Sequence, residues 1–247
     1  MPKLDYLTLL SSEPVLLQNV GHIKPPKLID IRRLGMTNYN MFISVLNFTQ
    51  NKFEEVFNVK NNKKEYFDLI FNDQNFREMF YNIFSFFICE NIYVDVNDKC
   101  YVVYRNNPNP KDDKDKYLIV GLINKDTFDD VKDVILQFNY VKSNVIDKSK
   151  VKDQHTRDLL DFMEKAREKQ KTSTKDDENL TLPNIISALS TFHNTLNILN
   201  IWDLTVYQLF DQFKRQSYKN QIDMCSMNHS VWGGEFDNSI WFDSMNH

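Results

Sequence analysis

The feature that most constrains this fold is a change of hydrophobic period near residue 90. From Phe76 the apolar positions run Phe80, Ile83, Phe84, Phe87 and Ile88, the spacing of a helix buried on most of its sides. From Ile92 the period becomes two: Ile92, Val94 and Val96 alternate with Tyr93 and Asp95. Asn97-Asp98-Lys99 has turn chemistry, Cys100–Tyr104 returns as a strand, and Tyr117–Ile123 supplies a third. Residues 105–116 carry no apolar side chain, as suits a solvated excursion at a hairpin tip. A long apolar helix followed by three short strands predicts an α+β fold, mainly α, in which helices pack on one face of a small three-stranded antiparallel meander.

Flanking segments add helices. Leu4, Leu7, Leu9 and Leu10 suggest a short opening element, and Val15–Ile23 reads as a small hairpin turning at Asn19-Val20-Gly21. Lys24-Pro25-Pro26-Lys27 enforces extended backbone. Leu28–Leu34 is predicted as a short helix stopped by Gly35, with a second helix capped by Thr37 and apolar at Tyr39, Phe42, Val45 and Leu46. Another begins near Asn124, with Asp129 and Asp130 in its first turn and Val131, Val134, Ile135 and Phe138 inside.

Residues 151–171 are read as a helix that turns polar after Met163, and 172–179 as a linker. Beyond it, Ile185, Leu189, Phe192, Leu196 and Leu199 repeat at 4, 3, 4 and 3, a helical packing seam. Thr205-Val206-Tyr207-Gln208 is a capping box that starts a new helix at Val206. Aromatic residues follow up to Trp232, Phe236, Trp241 and Phe242. The expected organisation is an N-terminal α+β region (1–145), a charged helix and linker (146–180), and a C-terminal helical region with an aromatic tail (181–247).

Catalytic and cofactor signatures are missing from the sequence. With 5 glycines in 247 residues, backbone-lined phosphate sites are few, and the sequence has no Gly-rich phosphate loop. There is no Gly-x-Ser-x-Gly, Cys-x-x-Cys or His-Glu-x-x-His. Cys225 and His229 stand at i and i+4, two ligands where a structural metal needs four. His193 on the seam reads as a packing or surface residue, and His22 as a hairpin-turn residue. The carboxylate pairs Asp112-Asp113, Asp129-Asp130 and Asp176-Asp177 fall in polar loops or at a helix start. No catalytic, cofactor-binding or metal residue is therefore assigned, and the chain is expected not to be an enzyme.

A net charge of −4 argues against nucleic acid as a partner. The three cysteines, Cys89, Cys100 and Cys225, are too few and too widely spaced for a disulfide framework. No apolar run reaches the roughly 20 residues of a membrane span, and Met1-Pro2-Lys3-Leu4-Asp5 lacks a signal-peptide apolar region. A cytoplasmic protein without a membrane partner is expected.

Two stretches carry a family resemblance. They are Val20-Gly21-His22-Ile23-Lys24-Pro25-Pro26-Lys27-Leu28-Ile29-Asp30-Ile31, and Asn200-Ile201-Trp202-Asp203-Leu204-Thr205-Val206-Tyr207-Gln208-Leu209-Phe210-Asp211-Gln212-Phe213 with the later Trp232-Gly233. Together they resemble small proteins encoded among the tail genes of phages and prophages of AT-rich Gram-positive bacteria, some of which look like tail-assembly chaperones. The resemblance implies a host-cytoplasmic protein that binds tape-measure or tail-tube subunits during assembly, or else a structural tail or baseplate component. A small regulator or an enzyme with an unfamiliar site stands as a further reading. The candidate partner-binding residues are Leu189, Phe192, Leu196, Trp202, Leu209, Phe210, Phe213, Trp232 and Trp241.

Overall fold

The computed structural model describes residues 2–58, 66–110, 112, 116–141 and 181–233. The expected helix at 151–171, the linker at 172–179 and Trp241 lie outside the described residues. The chain divides into two compact units, Met1–Lys142 with Asp203–Phe210 and Ser244–His247, and Ser143–Trp202 with Asp211–Asp243.

The first unit is α+β and mainly α, as its hydrophobic periods require. It opens with α1 (Tyr6–Leu10), where Asp5 accepts the Thr8 backbone N–H at 2.9 Å. A two-stranded hairpin follows, β1 (Val15–Leu17) and β2 (Gly21–Ile23), with Asn19 in the left-handed region at φ 61°. Helix α2 (Leu28–Leu34) ends at Gly35, whose φ of 91° suits a residue without Cβ. Helix α3 (Met36–Leu46) starts directly there, so Thr37 lies inside it and not at its cap. Its predicted inner face, Tyr39, Phe42, Val45 and Leu46, is buried.

Helix α4 (Gln50–Val56) was not legible in the apolar pattern, because Phe53 alone is buried on it. Helices α5 (Tyr66–Asn72) and α6 (Gln74–Phe87) are separated by Asp73, which caps α6 by accepting the N–H groups of Asn75 and Phe76. The meander is β3 (Asn91–Asp95), β4 (Cys100–Asn106) and β5 (Tyr117–Ile123), antiparallel and in sequence order. Tyr101 on its inner face meets Phe71 and Phe84, with ring centroids at 5.4 and 5.1 Å. Phe128, opening α7 (Phe128–Phe138), meets Phe67 and Phe80 at 5.5 and 5.6 Å. These edge-to-face and tilted aromatic contacts make the centre of the core.

In the second unit, α8 (Leu182–Phe192) buries Leu182, Ile185, Ile186 and Leu189. The predicted seam does not continue through Leu199. His193 is extended, and its Nδ1 accepts the backbone N–H groups of Thr195 and Leu196 at 3.2 and 3.1 Å. Asn197 Oδ1 then accepts Leu199 N–H at 2.9 Å. Side chains that bond to nearby backbone stop the helix, and Leu199 is left exposed. After a short 3₁₀ turn (Ile201–Asp203), α9 (Val206–Trp232) runs into the stretch read from sequence as an aromatic tail as far as Trp232, and Phe236 and Phe242 lie outside the described residues.

Candidate partner-binding surfaces

The two stretches that carry the family resemblance meet in the first unit. Lys27 and Thr205 form an antiparallel bridge. Leu28 N–H donates to the Leu204 carbonyl at 2.9 Å, and Val206 N–H to the Pro26 carbonyl at 3.1 Å. Pro25-Pro26 holds its strand extended, and the Pro26 carbonyl remains free to accept. The capping box is present in both directions: Gln208 Oε1 accepts Thr205 N–H at 2.9 Å, and Thr205 Oγ1 accepts Gln208 N–H at 3.2 Å. Gln208 Nε2 also donates to the Leu10 carbonyl at 2.7 Å. Residues some 180 positions apart are thus sewn together by backbone bonds.

A charged cluster lies nearby, where His22 on β2, Glu90 before β3 and Arg105 on β4 converge. Glu90 Oε1 accepts from His22 Nδ1 at 2.7 Å and from Arg105 Nη2 and Nε at 2.9 and 3.3 Å, while Oε2 accepts the His22 backbone N–H at 2.9 Å. The Glu90 side chain is 3% exposed. Burial opposes its ionisation, but the His22 backbone and ring and the Arg105 guanidinium outweigh that and hold the carboxyl below its ordinary range. Three of the four donors converge on Oε1 and one meets Oε2. Glu90 therefore acts as a clasp between hairpin and meander. The adjacent Cys89 thiol is pushed up by burial and by Glu90, which keeps it protonated and a poor nucleophile. Among the described residues no three His, Cys, Asp or Glu side chains group to hold a metal ion. Cys225 and Met224 are exposed on α9, as is His229 one turn on.

Apolar surface is the more conspicuous resource. On α9, Met224, Met227 and Val231 are each about two-thirds exposed, at spacings of 3 and 4, and Trp232 is 83% exposed. They line one stripe of a helix. Residues 217–232 are almost all exposed around the helix, and they are rich in Ser, Asn and other modest helix formers. A lone helical stretch of that composition is marginal in water, so a partner on the stripe would stabilise it.

The predicted binding residues divide by burial. Leu189 and Leu209 are buried and serve the interior. Leu196 and Phe213 are half-buried. Trp202 is half-buried, with its indole N–H on the Ile198 carbonyl at 2.7 Å. Phe210 stacks on Tyr140, with centroids 5.4 Å apart. Phe192 and Trp232 are open to solvent, 69% and 83% exposed.

Sequence reasoning missed a second apolar surface, the outer face of the meander. Tyr93, Tyr104 and Tyr117 form a ladder across it, with centroids at 5.7 and 5.2 Å, beside Ile119 and Leu122. The signal was present: Tyr117–Ile123 is apolar without alternation, the pattern of a strand apolar on both faces.

Residues 169–246 match the family model described as the YomV second domain. The family is phage-associated. The match covers less than half of the chain, and among described residues it takes in α8 and α9. Nothing matches among curated proteins or solved structures. No helix among the described residues is long and apolar enough to cross a membrane.

Proposed function

We propose that this chain is a non-enzymatic phage tail assembly protein that works by protein–protein binding in the host cytoplasm, holding tape-measure or tube subunits until they are incorporated. The observation that carries the reading is the uncovered stripe Met224, Met227, Val231 and Trp232 on α9. Methionine is unbranched and polarisable, and adapts to apolar partners of differing shape. An exposed helix with anchors at 3 and 4 spacing fits helix-in-groove recognition. The stripe lies within the residues that are similar to the phage-associated YomV second domain, which supports a phage role.

The test is affinity capture of the tagged chain from induced host cells, with mass spectrometry of the purified virion alongside. Tape-measure or tube protein in the capture, with this chain absent from the virion, is the expected outcome. Stoichiometric presence in the virion would refute the chaperone role and make the chain a structural tail or baseplate component.

A further inference from the structure

The open edge of the meander points to a second copy of this chain. Among the described residues strand β5 is an edge strand, and its two halves differ. At the C-terminal half, Leu122 N–H donates to the Asn19 carbonyl at 2.8 Å, so the β1–β2 turn covers that stretch. A register shift follows: Val103 pairs with Gly121 but Tyr104 with Ile119, leaving Val120 as the extra residue of a bulge. On the far side of the bulge, Tyr117, Leu118 and Ile119 are 60%, 49% and 67% exposed. The Lys116 carbonyl accepts Asn107 N–H at 2.8 Å, which turns the backbone of residue 116 toward β4. By alternation, residues 117 and 119 turn theirs toward the open edge.

We propose that Tyr117–Ile119 pairs antiparallel with the same segment of a second copy, about a two-fold axis through Leu118. That register sets Tyr117 opposite Ile119 twice, an aromatic against a β-branched residue, which is a favourable cross-strand pair. Edge strands are ordinarily protected by charge or proline, and Tyr117–Ile123 contains neither. Self-pairing also brings no like charges together. The two Lys116 residues are offset by four positions along the strand, about 13 Å at the strand rise, beyond a Debye length of about 8 Å.

The three side chains offer on the order of 400 Å² per copy when their exposed fractions scale typical side-chain areas, against about 800 Å² per partner in a standard stable interface. The pairing is accordingly a weak, reversible dimer. The contact uses residues of β5 and none of the α9 stripe, so it stands or falls independently of the assembly role.

Sedimentation velocity of the full chain from about 10 µM to about 1 mM tests it. The expected result is a concentration-dependent shift from 29.4 kDa toward twice that mass. Ile119→Lys should weaken the dimer at least about tenfold, since it places two charges on the pairing edge. Leu16→Lys, at an exposed site on β1, should leave it unchanged. In a Cys89→Ser, Cys225→Ser background, Leu118→Cys should crosslink to itself on oxidation, because the two-fold brings the positions within disulfide reach. A single 29.4 kDa species at every concentration overturns the proposal and leaves the edge to a different strand. A dimer that survives Ile119→Lys, or that forms without the Leu118→Cys crosslink, overturns it equally by placing the contact elsewhere.

Discussion

Replacing Gly121 with Ala tests how the hairpin is seated on the meander. A Cβ built at Gly121 would lie 2.3 Å from the Asn19 carbonyl oxygen, 2.4 Å from its carbon and 2.6 Å from Val20 N. Ordinary contacts are longer by about 1 Å or more, and all three atoms are backbone, so no side chain can swing aside. The β1–β2 turn must move outward, which stretches the Leu122 N–H to Asn19 bond of 2.8 Å. A lost hydrogen bond costs about 1 kcal/mol, and overpacking about 1–3 kcal/mol. Alanine recovers about 0.4–1 kcal/mol by restricting the unfolded chain. The net is a destabilisation of about 2 kcal/mol, or about 4–8 °C in Tm for a unit of this size. Thermal unfolding followed by circular dichroism reads it. Gly35→Ala is the informative companion: its Cβ would meet nothing within 4 Å, so its cost comes only from backbone strain at φ 91° and ψ 136°, about 1–3 kcal/mol. If Gly121→Ala melts at or above the wild-type temperature, the hairpin does not sit against β5 as described.

Other perturbations address the clasp, the caps and the proposed surface. Glu90 has a folded-state pKa below its unfolded value. Its contribution is therefore complete above about pH 4.3 and disappears as pH falls through the folded value; Glu90→Gln should flatten the acid limb of stability against pH, and an unchanged limb would refute the clasp. Burial raises the carboxyl of Asp133, and its Oδ2 has no hydrogen-bond partner. Asp133→Asn should therefore stabilise the protein at neutral pH, by about 1 kcal/mol in urea unfolding, with the gain shrinking as pH drops toward the carboxylate range. Thr205→Ala removes one side of the reciprocal capping box at a buried position and should cost about 1–2 kcal/mol, measured the same way. Met224→Lys with Met227→Lys should leave Tm within about 2 °C, since both sites are exposed, while cutting tail-protein capture at least about tenfold; undiminished capture would remove the α9 stripe from the binding role.

Local chemistry was legible in the chain itself. The shift of period at residue 90, the stop at Gly35 and the Thr205–Gln208 box each depend on neighbours within a few positions, and each appears where the sequence placed it. The seam at Ile185–Leu199 failed because periodicity counts apolar spacing and does not weigh competing side-chain bonds. His193 and Asn197 hold backbone N–H groups that a continuing helix would have used. The extent of α9 beyond Tyr218 was hidden for the opposite reason: little of that stretch is buried, so burial leaves no pattern to read.

What only the tertiary structure decided is which distant segments meet. His22, Glu90 and Arg105 come from three separate elements and show no common spacing, yet share one carboxylate. The bridge between Lys27 and Thr205 is equally invisible along the chain, because backbone pairing leaves almost no mark on residue type beyond Pro25-Pro26 and the capping box. The exposure of Tyr117–Ile119 depends on where the β1–β2 turn stops covering β5, a boundary set by the steric gap at Gly121. A sequence records the residues that can be buried; which of them stay uncovered, and so can bind, is settled only when the segments pack.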